Sequence, residues 1–78
     1  MDMIQRITVN PNIHFGKPCI TNTRIPVQEI LELIQQGLSF ETIINDCYPE
    51  IEIADIQACL QYAIEVLNAE DIHFAFAT

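Results

Sequence analysis

The chain has 78 residues, half of them hydrophobic, and a formal net charge of −8 at pH 7. A chain of this size has room for one small core, so we expect a single domain over residues 1–78 that folds rather than stays disordered. No apolar run reaches the roughly 18 residues of a membrane span, and the N-terminus lacks the basic and apolar stretches of a signal peptide. We therefore expect a cytoplasmic protein with no membrane association.

The charged residues are divided by position. All three bases, Arg6, Lys17 and Arg24, lie in the first 24 residues, which contain one acid, Asp2, and so carry a net charge of 3 − 1 = +2. From residue 25 to residue 78 there are ten acids and no Lys or Arg. The sequence thus predicts a weakly basic head followed by a strongly acidic body.

Two short strands are the first elements predicted. Residues 6–9 alternate polar and apolar side chains, and the Asn-Pro-Asn that follows stops them. A second β-prone stretch covers residues 19–21 and precedes Asn22, which tolerates the left-handed conformation of a tight turn. We predict a β-hairpin head over residues 6–25.

Three helices are predicted next. Pro26 fits the first turn of a helix over residues 26–36, and Gly37 stops it. Ser39 is a good N-cap for a second helix that Tyr48 and the following proline end. The third and longest helix begins near residues 52–54. The prediction is a mainly α fold with a three-helix core over residues 26–68.

Apolar spacing predicts which side chains face the core. The second helix is expected to turn Phe40, Ile43, Ile44 and Cys47 inward, and the third helix Ile56, Cys59, Leu60, Ala63, Ile64 and Leu67. Cys19, Cys47 and Cys59 are odd in number and widely separated, which indicates small core residues rather than disulfides or a zinc site. Residues 69–78 are predicted to be an apolar, extended tail.

Several short motifs occur in a familiar order. They are Gly16-Lys17-Pro18, Thr23-Arg24-Ile25-Pro26-Val27, the break at Gly37-Leu38-Ser39, and Tyr48-Pro49. In this order they resemble the domain of unknown function 433 family from about Arg6 to Ala63, although Thr21 and Asn22 replace that family's usual basic residue and glycine. Many members look like VapB-type antitoxins encoded beside a PIN-like ribonuclease toxin. The resemblance implies a homeodomain-like core whose second and third helices form a helix-turn-helix.

The leading expectation is a non-enzymatic, antitoxin-like protein that binds and neutralises a cognate PIN-like ribonuclease toxin. It rests on the resemblance and on the acidic body, which would mimic the charge of RNA, although a plain solvated surface is an equally open interpretation. One alternative is a helix-turn-helix transcriptional regulator, or autoregulatory DNA binding beside the toxin role. The lack of any Lys or Arg in the third helix counts against it. The other alternative is a homodimeric adaptor that binds no nucleic acid.

Candidate contact residues follow from these expectations. Arg6, Lys17 and Arg24 are the candidate contacts for nucleic acid or a partner, and the alternative for Arg24 is an anchor that holds the hairpin on the helices. A homodimer is expected to use Tyr62, Phe74 and Phe76, unless the tail packs on the third helix. His14 and His73 stand in no catalytic or metal-binding motif, so we predict no catalytic residue, metal or cofactor.

Overall fold

A computed structural model describes residues 3–69 of the chain. A 3-10 helix, Met3–Arg6, leads into strand β1, Ile7–Val9, which pairs with strand β2, Pro18–Ile20. The strands are antiparallel, with Ile7 opposite Ile20 and Val9 opposite Pro18. The predicted hairpin is confirmed, except that Arg6 ends the 3-10 helix instead of starting the strand. The predicted tail beyond residue 69, including Ile72, His73, Phe74 and Phe76, lies outside the described residues.

Three helices follow the hairpin, as predicted. Helix α1 spans Val27–Gln35, helix α2 spans Phe40–Thr42 and continues as a π-helix over Ile43–Cys47, and helix α3 spans Ile53–Ala69. The described part of the chain is therefore mostly helical, with a two-stranded hairpin at its N-terminal end. It contains no helix long and apolar enough to cross a membrane.

Local sequence signals set the turns and helix ends. Asn22 has a φ of 66°, so the left-handed turn expected there is confirmed. Gly37 has a φ of 94°, and its N–H donates to the carbonyl of Ile34 at 2.9 Å, which ends α1 as glycine commonly does. Ser39 Oγ accepts from the N–H of Thr42 at 3.1 Å, so the predicted N-cap of α2 is confirmed.

The core is built mainly from isoleucine. Ile30, Ile43, Ile56 and Cys59 are completely buried, and they come from all three helices. The cluster is completed by Ile20, Ile25, Val27 and Ile51. Ile20 and Ile25 reach it from the head, where the N–H of Ile20 donates to the carbonyl of Ile25 at 2.9 Å. This hydrogen bond continues the hairpin into the segment that starts α1.

Two predicted core positions of α3 are wrong. Ile64 is 51% exposed and Leu67 is 55% exposed, whereas Leu60 and Ala63 are half-buried. At about 1.5 Å per residue, the 17-residue α3 is roughly 25 Å long, nearly twice the length of the nine-residue α1. Its last turns therefore extend past the described elements against which its first turns pack.

The prediction that all three cysteines are core residues is wrong for one of them. Cys19 and Cys59 are buried, and burial raises the pKa of Cys59 to about 12, but Cys47 is exposed. The reason lies in the π-helix, where the N–H of Tyr48, rather than that of Cys47, donates to the carbonyl of Ile43 at 2.9 Å. The turn is one residue longer than in an α-helix, so Cys47 does not align over the buried Ile43.

Ile56→Ala should destabilise the protein much more than the same change at Ile64. Ile56 is completely buried, so we expect its truncation to lower the free energy of unfolding by about 2–5 kcal/mol. Ile64→Ala on the same helix should change it by less than about 1 kcal/mol. Urea unfolding followed by circular dichroism measures both. Equal losses from the two variants would contradict the described core.

Candidate functional site

Arg6 joins the hairpin head to the start of α3. Its Nη1 donates to Asp55 Oδ1 at 2.9 Å and to Glu52 Oε1 at 3.3 Å. The other oxygen of Asp55 accepts from the backbone N–H of Glu52 at 2.9 Å, which caps α3. The hydrogen bond to Asp55 raises the pKa of Arg6, so the guanidinium stays charged. The anchoring role considered for Arg24 is filled by Arg6.

The other two bases, Lys17 and Arg24, line the same groove and are open to solvent. The groove lies on the head and has a volume of about 630 Å³. Both ion pairs found within residues 3–69 belong to Arg6, so neither Lys17 nor Arg24 has a carboxylate partner there. Glu50 is the acidic residue in the lining, which also includes Thr8, Asn10, Ile13, Cys19, Ile20, Thr21, Asn22 and Thr23.

Hydrogen bonds within the head use two threonine hydroxyls of this groove as donors and leave the amide of an asparagine free to donate. Thr23 is fully engaged with the backbone, because its hydroxyl donates to the carbonyl of Ile20 at 2.7 Å and accepts from the N–H of Ile25 at 3.1 Å. Thr21 Oγ1 donates to the carbonyl of Gln5 at 2.9 Å. The Oδ1 of Asn10 accepts from the N–H of Asn12 at 2.8 Å, which leaves its amide donors available. Together with Lys17 and Arg24, these donors suit an anionic ligand.

A strained loop borders the groove. His14, Phe15 and Gly16 all have positive φ, at 49°, 56° and 84°. A left-handed non-glycine residue costs roughly 1–2 kcal/mol, so the loop must be held by other contacts. His14 Nε2 donates to the carbonyl of Arg24 at 2.7 Å, and the N–H of Gly16 donates to the carbonyl of Ile13 at 3.0 Å. Held in this way, Phe15 is 100% exposed.

The helices present an acidic surface. Among residues 25–69 there are eight acids and no Lys or Arg, and six of the acids are exposed: Glu29, Glu32, Glu41, Asp46, Glu50 and Glu52. Glu29 accepts a hydrogen bond from the hydroxyl of Tyr48, which ties the end of the π-helix to α1. Burial, followed by this contact, raises the pKa of Tyr48 to about 12. In the described part of the chain, no cluster of His, Cys, Asp or Glu could hold a metal ion.

The structure therefore separates the predicted contact residues. Lys17 and Arg24 share a groove, whereas Arg6 is paired with α3, and Tyr62 is half-buried against the core. Their use as contacts stays a prediction. Sequence reasoning missed the exposed Phe15, for which Gly16 was the available signal of an unusual backbone. It also missed Asp55 as the partner of Arg6, for which the only sequence signal was the position of this acid in the first turn of the third helix.

The fold and the groove define a small helical protein whose hairpin head carries Lys17 and Arg24, two bases with no ion pair within residues 3–69. The sequence matches the family model described as Protein of unknown function (DUF433) over residues 7–63, so this chain belongs to the DUF433 family. A crystal structure of a DUF433 member protein from Anabaena variabilis ATCC 29413 is similar, with a TM-score of 0.73 and 30% identity. The match covers 94% of this chain and 69% of that one. No curated protein matches this chain.

Arg6→Gln and Asp55→Asn should each lower the urea midpoint, because each removes one charge of the pair that fixes the head to α3. Asn at position 55 keeps one oxygen for the cap, so that variant removes the contact with Arg6 and leaves the cap of α3 in place. The double variant should lose little more than either single variant. Arg24→Gln is the matched control, since Arg24 has no ion pair within residues 3–69. Additive losses from the two single changes would show that the pair is not coupled.

Proposed function

We propose that this protein is an antitoxin-like, non-enzymatic binding protein that neutralises a PIN-like ribonuclease. The acidic helical surface would occupy the basic cleft in which such an enzyme holds RNA, because complementary charge speeds association and selects the partner. The proposal includes a cytoplasmic location and a homodimer that uses Tyr62, Phe74 and Phe76. The VapB-type assignment belongs to this proposal and rests on resemblance.

The observation that carries the proposal is the absence of any cation between residues 25 and 69, together with the exposure of most of the acids there. An ordinary solvated surface mixes both signs of charge. Glu41 and Asp46, on the α2 and π-helix segment, are exposed. They are suited to contact a cationic surface.

We also propose that α2 and α3 form a homeodomain-like helix-turn-helix, used here for protein binding. The support is the order of three helices and the short connection, residues 48–52, between the π-helix and α3. In such a motif the last helix usually makes the contacts to DNA. Here α3 carries no Lys or Arg, which counts against contacts with phosphate.

Affinity purification of the tagged protein from its native cell, followed by mass spectrometry, should recover a small ribonuclease in stoichiometric amount. Removing charge with Glu41→Gln and Asp46→Asn together should weaken binding of that ribonuclease by about 2- to 30-fold, mostly through slower association. The matched control is Glu41→Asp with Asp46→Glu, which keeps both charges and should bind like the unchanged protein. Recovery of the protein alone, with no nuclease, would remove the basis of the proposal.

A second candidate is duplex DNA binding, which the groove of Lys17 and Arg24 favours. Each phosphate contact contributes about −0.9 to the slope of log affinity against log salt, so two contacts per chain give about −2 for a monomer and about −4 for a dimer. A gel shift with the protein's own promoter measures that slope. Lys17→Gln with Arg24→Gln should abolish the shift. A shift that survives this double change would contradict the role of the groove.

A further inference from the structure

The full exposure of the Phe15 side chain is not explained by the stability of the fold. Its side chain is 100% exposed, and it follows His14 in a run of three left-handed residues. A flexible loop would relax from this conformation, but this loop is tied at both sides. The N–H of Ile13 donates to the carbonyl of Asn10 at 2.9 Å, and the N–H of Lys17 donates to the carbonyl of His14 at 3.1 Å. The ring is therefore held outward on a rigid support.

Little other exposed apolar surface accompanies Phe15 on the head. Of the large hydrophobic residues exposed in the described part of the chain, Val9 is the other one on the head, and the rest lie on α3. An apolar pocket of a protein partner needs a wider apolar patch around its anchor. Phe15 instead stands between Ile13 and Lys17, which line the groove that also contains Arg24.

The head carries an exposed aromatic ring and a groove lined by two bases, which is a combination that proteins use for single-stranded nucleic acid. Every base has a flat face that stacks on an aromatic ring, and the backbone phosphates follow the cations. The amides of Asn10 and Asn22 in the groove add hydrogen-bond partners for sugars and bases. A duplex offers no free base face, because its bases are already stacked.

We propose that the hairpin head binds single-stranded nucleic acid, with one base stacked on Phe15 and adjacent phosphates held by Lys17 and Arg24. This function is separate from toxin binding and does not depend on it. It differs from duplex recognition because Phe15 can stack only on a base with a free face, so a single strand should bind more tightly than a duplex. The acidic helices repel the rest of the strand, so only the few nucleotides at the head should be bound, and their phosphate contacts should weaken as salt rises.

Fluorescence anisotropy of the full chain with labelled oligouridylate and oligodeoxythymidylate of about 12 nucleotides tests the proposal, at salt from about 20 to 200 mM. Phe15→Ala should weaken binding by about 5- to 150-fold, and Phe15→Tyr should restore it, since the ring is kept. Lys17→Gln and Arg24→Gln should each reduce the salt slope by about 0.7. Leu67→Ala, which truncates an exposed apolar side chain at the far end of α3, is the control and should change nothing.

Three results would overturn the proposal. The first is no binding of either oligonucleotide at any salt concentration in this range. The second is oligonucleotide binding that Phe15→Ala leaves unchanged; if size-exclusion chromatography then shows a changed oligomeric state, the ring belongs to a protein interface. The third is a duplex bound as tightly as the single strand, since phosphate contacts alone would then explain the binding. Failure of toxin recovery has no bearing on these outcomes.

Discussion

The carboxylate of Asp55 is the group on which the arrangement of the molecule depends. One of its oxygens accepts from Arg6 and the other from the backbone N–H of Glu52, so a single side chain both starts α3 and holds the head against it. Its side chain is only 14% exposed, so the interaction is partly shielded from salt. Because one of the three bases is neutralised in this way, the remaining two are the cations left for contact with other molecules.

Much of the fold could be predicted because its ends are marked by residues with narrow conformational preferences. Asn22, Gly37 and Ser39 each act within two or three residues, so their effects can be read from local sequence. The errors came from longer-range causes. The π-helix displaced Cys47 from the buried face, and the length of α3 left Ile64 and Leu67 beyond the elements that cover Ile56. Apolar spacing shows which side chains share a helix face, but it does not show how far the element packed against that face extends.

The candidate site was predictable in its residues but not in its arrangement. The charge distribution identified Lys17 and Arg24 as candidates, whereas their meeting in one groove depends on the loop and turn that bring residues 17 and 24 to one side of the hairpin. Arg6 is close to the strand in sequence and yet faces α3, because it ends the 3-10 helix before β1 begins. The exposure of Phe15 depends on three successive left-handed residues, a feature for which only Gly16 gives a sequence signal.

The basic head and the acidic helices act as separate surfaces only when salt screens their charges from each other. At about 0.1 M salt, charges more than roughly 10 Å apart are largely screened, so a ligand in the groove is influenced mainly by Lys17, Arg24 and the lining acid Glu50. At low salt the field of the net charge of −8 reaches over the whole molecule and opposes the binding of any polyanion.

Two opposing effects of salt therefore act on ligand binding at the head, since salt weakens its phosphate contacts and also screens the acidic helices. A cationic partner of the helices has no such compensation, because salt weakens both its contacts and its long-range attraction. Salt dependence should therefore be shallower for ligands of the head than for partners of the acidic surface making the same number of ionic contacts.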